Sequence, residues 1–281
     1  MKSLFKDVEE KCRKANFMEA IIEKAHYAPE DRELLWSVLE KILACMAEEA
    51  AVSDRDVQAA EVKNTEGKTD VQAAEVKSAE GKTDVQAAEV KSAEGKANAT
   101  CELVREVVMT LGKGVDDLQE QFLADGLLTE AYMVEVLGSE ILLLAYVAYN
   151  AWVKERTESA VRRYHFLGTG ESFSVKTVTG QGDFEGQSIQ IPLGIETIPR
   201  MLERSGLPVT CTEGYCMVPK KSVAFYAELT KDKTVVCEGI CMGCSRTDCP
   251  NRMSVGDHQQ GNRALDRPLT YGYARILGLF S

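Results

Sequence analysis

The first part of the chain places apolar residues with the period of an α-helix. Leu4, Val8 and Cys12 recur every fourth position, and a second apolar stripe covers residues 34–43. Pro29 precedes that second stripe, and proline is favoured at the first position of a helix. Apolar side chains at this spacing line one face of a helix. Residues 1–52 are therefore predicted to form a small helical hairpin.

The pattern changes in the middle of the chain. Residues 103–111 are rich in β-branched side chains and stop at Gly112, which is typical of a strand. Residues 115–124 and 128–156 have helical periodicity, and the second of these helices is apolar on most sides, which predicts a buried position. Its longest nearly uncharged run, residues 141–153, is shorter than the roughly 20 residues that cross a bilayer. No membrane span is predicted.

Beyond Arg163 glycine-rich turns separate short apolar segments. Strands are predicted at residues 172–178, 209–211 and 223–229, with one helix near residues 195–205. Helices that come first and are followed by such a mixed portion are typical of the α+β class. The predicted fold is α+β, with N-terminal helices followed by a mixed domain that has an antiparallel, curved β-sheet.

Residues 56–97 repeat one motif, DVQAAEVKSAEGKT and close variants, with a period of 14. A functional array of stacked repeats would need an apolar face to bury, and these copies offer only two valines and a few alanines each. Near-identical copies in a loop are tolerated because a longer loop costs little extra entropy. We therefore interpret residues 53–97 as a solvated, disordered linker insertion, and residues 98–281 as the α+β portion with the cysteine-rich segment 237–249.

Composition narrows the classes of function. The chain has 281 residues with 44 acidic and 33 basic side chains, a formal charge of −11. General nucleic-acid binding is disfavoured, because phosphates are held mainly by Lys and Arg. The N-terminus carries charges every two or three residues and lacks the apolar stretch of a secretory signal. These features predict a cytoplasmic protein.

Cysteine distribution gives the strongest local motif. Cys237, Cys241, Cys244 and Cys249 follow a C-x3-C-x2-C-x4-C spacing, within a total of nine cysteines. Four thiolates so close in sequence can bind one metal centre. A [4Fe-4S] cluster and a structural zinc ion both suit this ligand set, and we favour the cluster because its spacing is compact and irregular. Four unmetallated thiols are the third alternative.

The remaining candidates carry weaker patterns. Cys211 and Cys216 form either a second redox pair or, as we favour, core residues. His26, His165 and His258 have no catalytic side chain at a fixed offset, so we interpret them as surface or locally bonded residues. The sequence therefore offers no acid/base catalytic constellation.

Four segments in order resemble one family. They are MTLGKGVDDLQEQFLADGLLTEAYMVEVLGSEILLLA, TGQGDF, VTCTEGYCMVPKKSVAF and CMGCSRTDCPNR. The family is the reactivation domain of cobalamin-dependent methionine synthase, in its short stand-alone form with a cysteine-rich tail. The matching residues are Thr110, Gly112, Leu137, Gly138, Ser139, Gly180, Gly182, Asp183, Thr212, Glu213, Met217, Pro219, Lys221, Ser222, Val223 and Arg252.

The resemblance implies a protein that binds S-adenosylmethionine and presents its methyl group to inactive Co(II) cobalamin while an electron reduces the cobalt. Such a protein acts by placement rather than by proton transfer. The cobalamin would be carried by a partner, a methionine synthase or a related corrinoid protein. The electron would come from the cysteine-rich tail or from a donor such as flavodoxin or ferredoxin.

The resemblance also implies a cofactor site. Its residues would be Lys176, Gly180, Gln181, Gly182, Asp183, Glu213 and Met217. The family has an arginine and a tyrosine where this chain has Lys176 and Gln181, so the bidentate fork and the aromatic surface are lost. Weak binding and no binding of S-adenosylmethionine both remain open. The alternative function is a non-enzymatic iron–sulfur or zinc protein that uses the same scaffold for docking or electron delivery.

Overall fold

The computed structural model describes residues 2–57, 103–168, 172–176, 188–235 and Cys237. The helices are α1 (Lys2–Cys12), α2 (Ala15–Ala25), α3 (Arg32–Glu49), α4 (Lys113–Ala124), α5 (Leu128–Arg156) and α6 (Ile198–Ser205), with single 3-10 turns at Pro29–Asp31 and Ile195–Thr197. The strands are β1 (Ala51–Asp56), β2 (Leu103–Thr110), β3 (Ala160–Phe166), β4 (Ser172–Lys176), β5 (Ser188–Pro192), β6 (Thr210–Cys211), β7 (Met217–Val218) and β8 (Ser222–Thr230).

The N-terminal region contains three helices where the sequence predicted a hairpin of two. The break falls between Cys12 and Ala15, where Lys14 adopts an extended backbone conformation with φ −79° and ψ 139°. The second helix, α2, still buries one apolar face through residues such as Phe17 and Ile21. The short charged segment Arg13–Lys14 thus separates two amphipathic helices, which the apolar periodicity had predicted as one helix.

The central element is a four-stranded antiparallel sheet. Its strand order is β1-β2-β8-β3, and two further hairpins, β4–β5 and β6–β7, lie outside it. The antiparallel pairing of β2 with β8 runs from Leu103 opposite Leu229 to Thr110 opposite Ser222. The predicted α+β class, with helices first and an antiparallel sheet after them, is confirmed.

The sheet separates two apolar cores. Alternate residues of β8 point to opposite faces, as the period of a strand requires. Phe225 and Ala227 join the main core with the N-terminal helices, α4 and α5, whereas Ala224 and Tyr226 join a smaller core beneath α6 and the β4–β5 hairpin. The β4–β5 hairpin strands therefore pack on the smaller core, on the opposite face from the long helices.

Helix α5 is the central helix of the main core. It contacts α1, α2, α3, α4 and β3. By length and composition α5 could cross a membrane, but 65% of its most apolar window is buried within the protein. Such burial is typical of the core helix of a soluble fold. This packing explains why apolar residues lie on most sides of α5.

The first strand, β1, was missed by the sequence analysis. It extends to Asp56, so its last residues fall within the range 53–97 that was assigned to the linker. Only Val52 is buried in this strand, and Asp54, Arg55 and Asp56 give it the charged character of a sheet edge. β1 follows directly after α3 and has only one buried apolar residue, so its sequence shows no apolar alternation that would predict a strand.

The repeats are inserted between two paired strands. β1 pairs with β2 from Ala51 opposite Thr110 to Asp56 opposite Arg105, and the Val57 amide donates to the Val104 carbonyl at 2.9 Å. The two chain ends that flank residues 58–102 are therefore already adjacent. The repeats themselves lie outside the described residues.

Shortening this connection should stabilise the protein. Replacing residues 58–102 by a turn of about four residues is expected to raise the free energy of unfolding by about 2 kcal/mol, because a shorter loop costs less entropy to close. Removing a single repeat should raise it by only about 0.3 kcal/mol. Urea denaturation monitored by circular dichroism measures both values. A loss of stability in the shortened variant would instead show that the repeats pack against the fold.

Candidate functional site

Two of the sequence motifs meet at the first residues of β8. The buried ammonium of Lys221 donates to the carboxylate of Glu135 and, at 3.0 Å, to the hydroxyl of Ser139. The stem of Lys221 lies against Gly138, where an added Cβ would be 3.2 Å from the lysine Cε. Burial tends to raise the pKa of Glu135, but the hydrogen bond and charge of Lys221 outweigh it and lower that pKa. Lys221 thus ties α5 to the sheet.

The motif at the end of β2 joins the same network. Ser222 donates to Thr110 across the strand pair, with 2.8 Å between their hydroxyl oxygens. The Thr110 hydroxyl also accepts from the Gly112 amide at 3.1 Å, and the Leu111 amide donates to the Lys221 carbonyl at 2.9 Å. Lys221 and Ser222, two of the residues that carry the family resemblance, are buried parts of this network.

Asp116 fixes the segment that precedes β8. Its buried carboxylate accepts from the Lys220 amide at 2.8 Å. Asp116 lies in the first turn of α4, where a carboxylate is favoured by the helix dipole. The β7–β8 connection is therefore held to the start of α4, and the hairpin that precedes it takes a defined position.

The β6–β7 turn presents a carboxylate to solvent. The Thr212 amide donates to the Cys216 carbonyl at 2.9 Å, and the Thr212 hydroxyl accepts from the Cys216 amide at 3.2 Å. These bonds close the turn and leave Glu213 exposed at its tip. Met217 is half-buried against the smaller core. Of the two predicted site residues in this hairpin, only Glu213 is fully accessible to a ligand.

The two cysteines of this hairpin do not face one another. Cys211 stands opposite Met217 in the β6–β7 pairing, so Cys216, one residue away, points to the other face. Cys211 packs partly against the smaller core, whereas Cys216 is exposed. The expectation of a core position is right for Cys211, which packs against the smaller core. It is wrong for Cys216, whose position in the β6–β7 turn exposes it to solvent.

The β4–β5 hairpin carries the predicted cofactor loop. Lys176 is the last residue of β4 and pairs with Ser188 of β5. Four predicted site residues between these strands lie outside the described residues: Gly180, Gln181, Gly182 and Asp183. The hairpin is anchored by Phe173, whose ring stacks on His165 with centroids 3.7 Å apart and planes 5° apart.

His165 belongs to a buried charged group on the sheet. Its Nε2 lies 3.0 Å from one carboxylate oxygen of Glu228, and Arg162 donates to the other at 3.1 Å. Burial tends to raise the pKa of Glu228, but the His165 hydrogen bond and the Arg162 charge outweigh it and hold that pKa below its ordinary value. His165 is locally bonded, as predicted. His26 ends α2, and His258 lies outside the described residues.

Neutralising Glu228 should change how stability depends on pH. Because its folded pKa is lowered, Glu228 stabilises the fold above its unfolded pKa of about 4.3 and loses this effect as pH falls through the folded pKa. Glu228→Gln is therefore expected to cost about 2 kcal/mol at neutral pH and much less near pH 3. Urea titrations across this range provide the measurement. Glu213→Gln, at an exposed turn, is the control, and an equal loss in both variants at all pH values would contradict the assignment.

Only one of the four predicted metal ligands is described. Cys237 lies half-buried after β8 and packs against the main core. Its neighbour Tyr164 has a pKa raised well above its ordinary value, chiefly by burial. Cys241, Cys244 and Cys249 lie outside the described residues. Within residues 2–57, 103–168, 172–176 and 188–235 with Cys237, no group of three His, Cys, Asp or Glu side chains could hold a metal ion.

The sequence analysis missed a polar row across the sheet. Arg55 of β1 stands opposite Glu106 of β2, Glu106 stands opposite Tyr226 of β8, and Tyr226 stands opposite His165 of β3. In the sequence, the charged residues within the β-branched run LVREVVMT indicate that one face of this strand meets polar groups. The pairing of four strands, which places these side chains in one row, is not visible in the sequence.

No protein-family model and no curated protein sequence matches the chain. The interpretation of its function therefore depends on the motifs and on the contacts described above.

Proposed function

We propose that this protein is an accessory factor for the reductive reactivation of a corrinoid methyltransferase such as methionine synthase. In this proposal it works in the cytoplasm, holds S-adenosylmethionine or delivers an electron, and docks on a partner that carries the cobalamin. The sulfonium supplies the methyl group once cobalt has been reduced. The protein contributes placement, which can account for a large part of a rate enhancement without any acid or base.

The observation that carries the proposal is the contact between separate family-like motifs. Two of the four family-like segments, one with Thr110 and Ser139 and the other with Lys221 and Ser222, are distant in sequence yet form one hydrogen-bonded network. A chance resemblance of short motifs would not be expected to place their polar residues in mutual contact. The network supports a scaffold shared with the reactivation family.

The candidate ligand groups suit a sulfonium amino acid. Lys176 is the last residue of β4, next to the glycine-rich segment in sequence, and a lysine pairs with a carboxylate as a single charge rather than as an arginine fork. Glu213 is exposed on the β6–β7 turn and can pair with the ligand amino group or sulfonium. The glycines of the loop allow the backbone to approach a ligand closely.

A titration with S-adenosylmethionine tests the cofactor part of the proposal. We expect calorimetry to detect weak, saturable binding that Lys176→Ala weakens by roughly tenfold or more, since a charge-assisted contact contributes about 1.5–3 kcal/mol. Lys113→Ala is the control, because Lys113 is an exposed lysine paired with Asp117. Absence of heat at millimolar ligand would favour the alternative function, a docking or electron-delivery protein without S-adenosylmethionine.

The cysteine-rich segment gives a second test. Cys237, Cys241, Cys244 and Cys249 would hold a [4Fe-4S] cluster in this proposal, and the cluster would supply one-electron transfer. We expect anaerobically purified protein to be brown and to lose its visible absorption in Cys244→Ser. Colourless protein that contains zinc would assign the site a structural role. Cys216→Ser, at an exposed cysteine outside the motif, is the matched control.

A further inference from the structure

A short helix lies over the polar row of the sheet and adds two guanidinium groups to it. Arg200 and Arg204 are one turn apart on α6, so both lie on the same side of that helix. Arg204 binds Glu106 through both carboxylate oxygens, and its Nε lies 3.2 Å from Oε1. Arg55, on the edge strand, approaches the same carboxylate to 4.0 Å. Basic side chains from two elements, α6 and β1, thus converge near one buried glutamate.

Arg200 differs from Arg204 in its partners. It is half-buried, and it makes no ion pair with the part of the chain that the structure describes. Its Nε is shielded from solvent and has no hydrogen-bond acceptor among the described residues. A buried guanidinium N–H without an acceptor is unfavourable, so native sites provide one from the protein, from water or from a ligand.

Tyr226 lies beside both arginines of α6 and supplies a hydroxyl group there. Burial and the charge of Glu106 raise the pKa of Tyr226 to about 12, and Arg204 and Arg200 oppose that rise. The phenol of Tyr226 therefore stays protonated at neutral pH and keeps an O–H group beside the guanidiniums. Glu106 is already bound by the fork of Arg204, so the next anion to enter would pair with Arg200.

We propose that Arg200, supported by Arg204 and Arg55, forms a binding site for an oxyanion group, a carboxylate or a phosphate, of a small ligand or cofactor. The planar guanidinium matches the oxygen spacing of both groups and binds them through two parallel hydrogen bonds. The site is built on α6, β1 and β2, and Tyr226 beside it also contacts Phe173 of the candidate cofactor hairpin, with ring centroids 6.0 Å apart. It is independent of the proposed function.

Calorimetric titration of the full chain tests this site with inorganic phosphate and malonate in buffers of constant ionic strength set by sodium chloride. We expect saturable binding of at least one of the two anions. Arg200→Gln should weaken it roughly tenfold or more, in line with the loss of a charge-assisted contact. Arg13→Gln is the matched control, since Arg13 is an exposed arginine in the short segment between α1 and α2. The two anions distinguish a phosphate ligand from a carboxylate ligand.

A second variant is expected to change the anion affinity in the opposite direction, which loss of folding could not produce. Glu106→Gln removes the internal counter-charge but keeps a hydrogen-bond acceptor, so anion affinity should rise. Circular dichroism checks that each variant is folded at the titration temperature. No binding of either anion to the original protein, or equal weakening in Arg200→Gln and Arg13→Gln, would overturn the proposal. Lower affinity in folded Glu106→Gln would also overturn it.

Discussion

Replacing Gly112 by alanine is expected to lower the free energy of unfolding by about 3 kcal/mol, from backbone strain and steric overlap together. Gly112 has φ +95°, and a Cβ at this position would lie 2.3 Å from the Cβ of Glu49. The clash cannot relax easily because the carboxylate of Glu49 accepts from the Gly114 amide at 2.7 Å and holds the end of α3 against the start of α4. Urea denaturation at neutral pH provides the measurement.

Gly126 offers a matched control for this substitution. It also has a positive φ, +76°, but no atom would lie within 4 Å of an added Cβ. Gly126→Ala should therefore cost only the backbone strain, about 1 kcal/mol. Equal costs at the two glycines would show that the overlap with Glu49 is relieved, and the close approach of α3 to α4 would then be incorrect.

The second large effect is expected at Phe225, where substitution by alanine should cost about 4 kcal/mol. Phe225 is fully buried at the centre of an aromatic cluster on the main core face of β8. Its ring lies 5.2 Å from those of Tyr146 and Tyr164, and 5.7 Å from that of Phe166, between centroids. Removing the ring leaves a cavity between the sheet and α5, so the cost includes both lost burial and the void.

Two further variants provide a control at an exposed leucine and a milder substitution of Phe225. Leu128→Ala, at a leucine that is 68% exposed, should change stability by less than about 0.5 kcal/mol. If Phe225→Ala fails to fold, Phe225→Leu should still fold with a loss of about 1–2 kcal/mol, because most of the volume is retained. A loss below about 1 kcal/mol in folded Phe225→Ala would contradict the described packing.

Periodicity predicted the elements that bury a regular apolar face. The sequence placed a helix at residues 128–156, and α5 has those bounds. It placed a strand at residues 103–111 and a strand at 223–229, which correspond to β2 and β8. Each of these segments has apolar residues on a face, or on most sides, over several turns or pleats. Such local patterns reflect burial directly.

Strands with irregular burial were not predicted. β1 is a charged edge strand with one buried valine, Val52. β3 contains a register shift between Val161 and Arg163, which breaks the apolar alternation that a strand normally shows. In β5, only a short segment pairs with β4, between Ser188 and Pro192. Their strand conformation depends on pairing with another strand, so no local pattern reveals it.

The sequence by itself determined the α+β class, the long buried helix, the main strands and the residue types that could form ligand and metal sites. Those features follow from local apolar periodicity and from side-chain chemistry. Tertiary structure alone decided that Lys221 and Ser222 lie in a buried network and that Arg200 stands beside a polar row across four strands. Side chains distant in sequence meet only through strand register and helix packing, and these are set by the whole chain rather than by any segment of it.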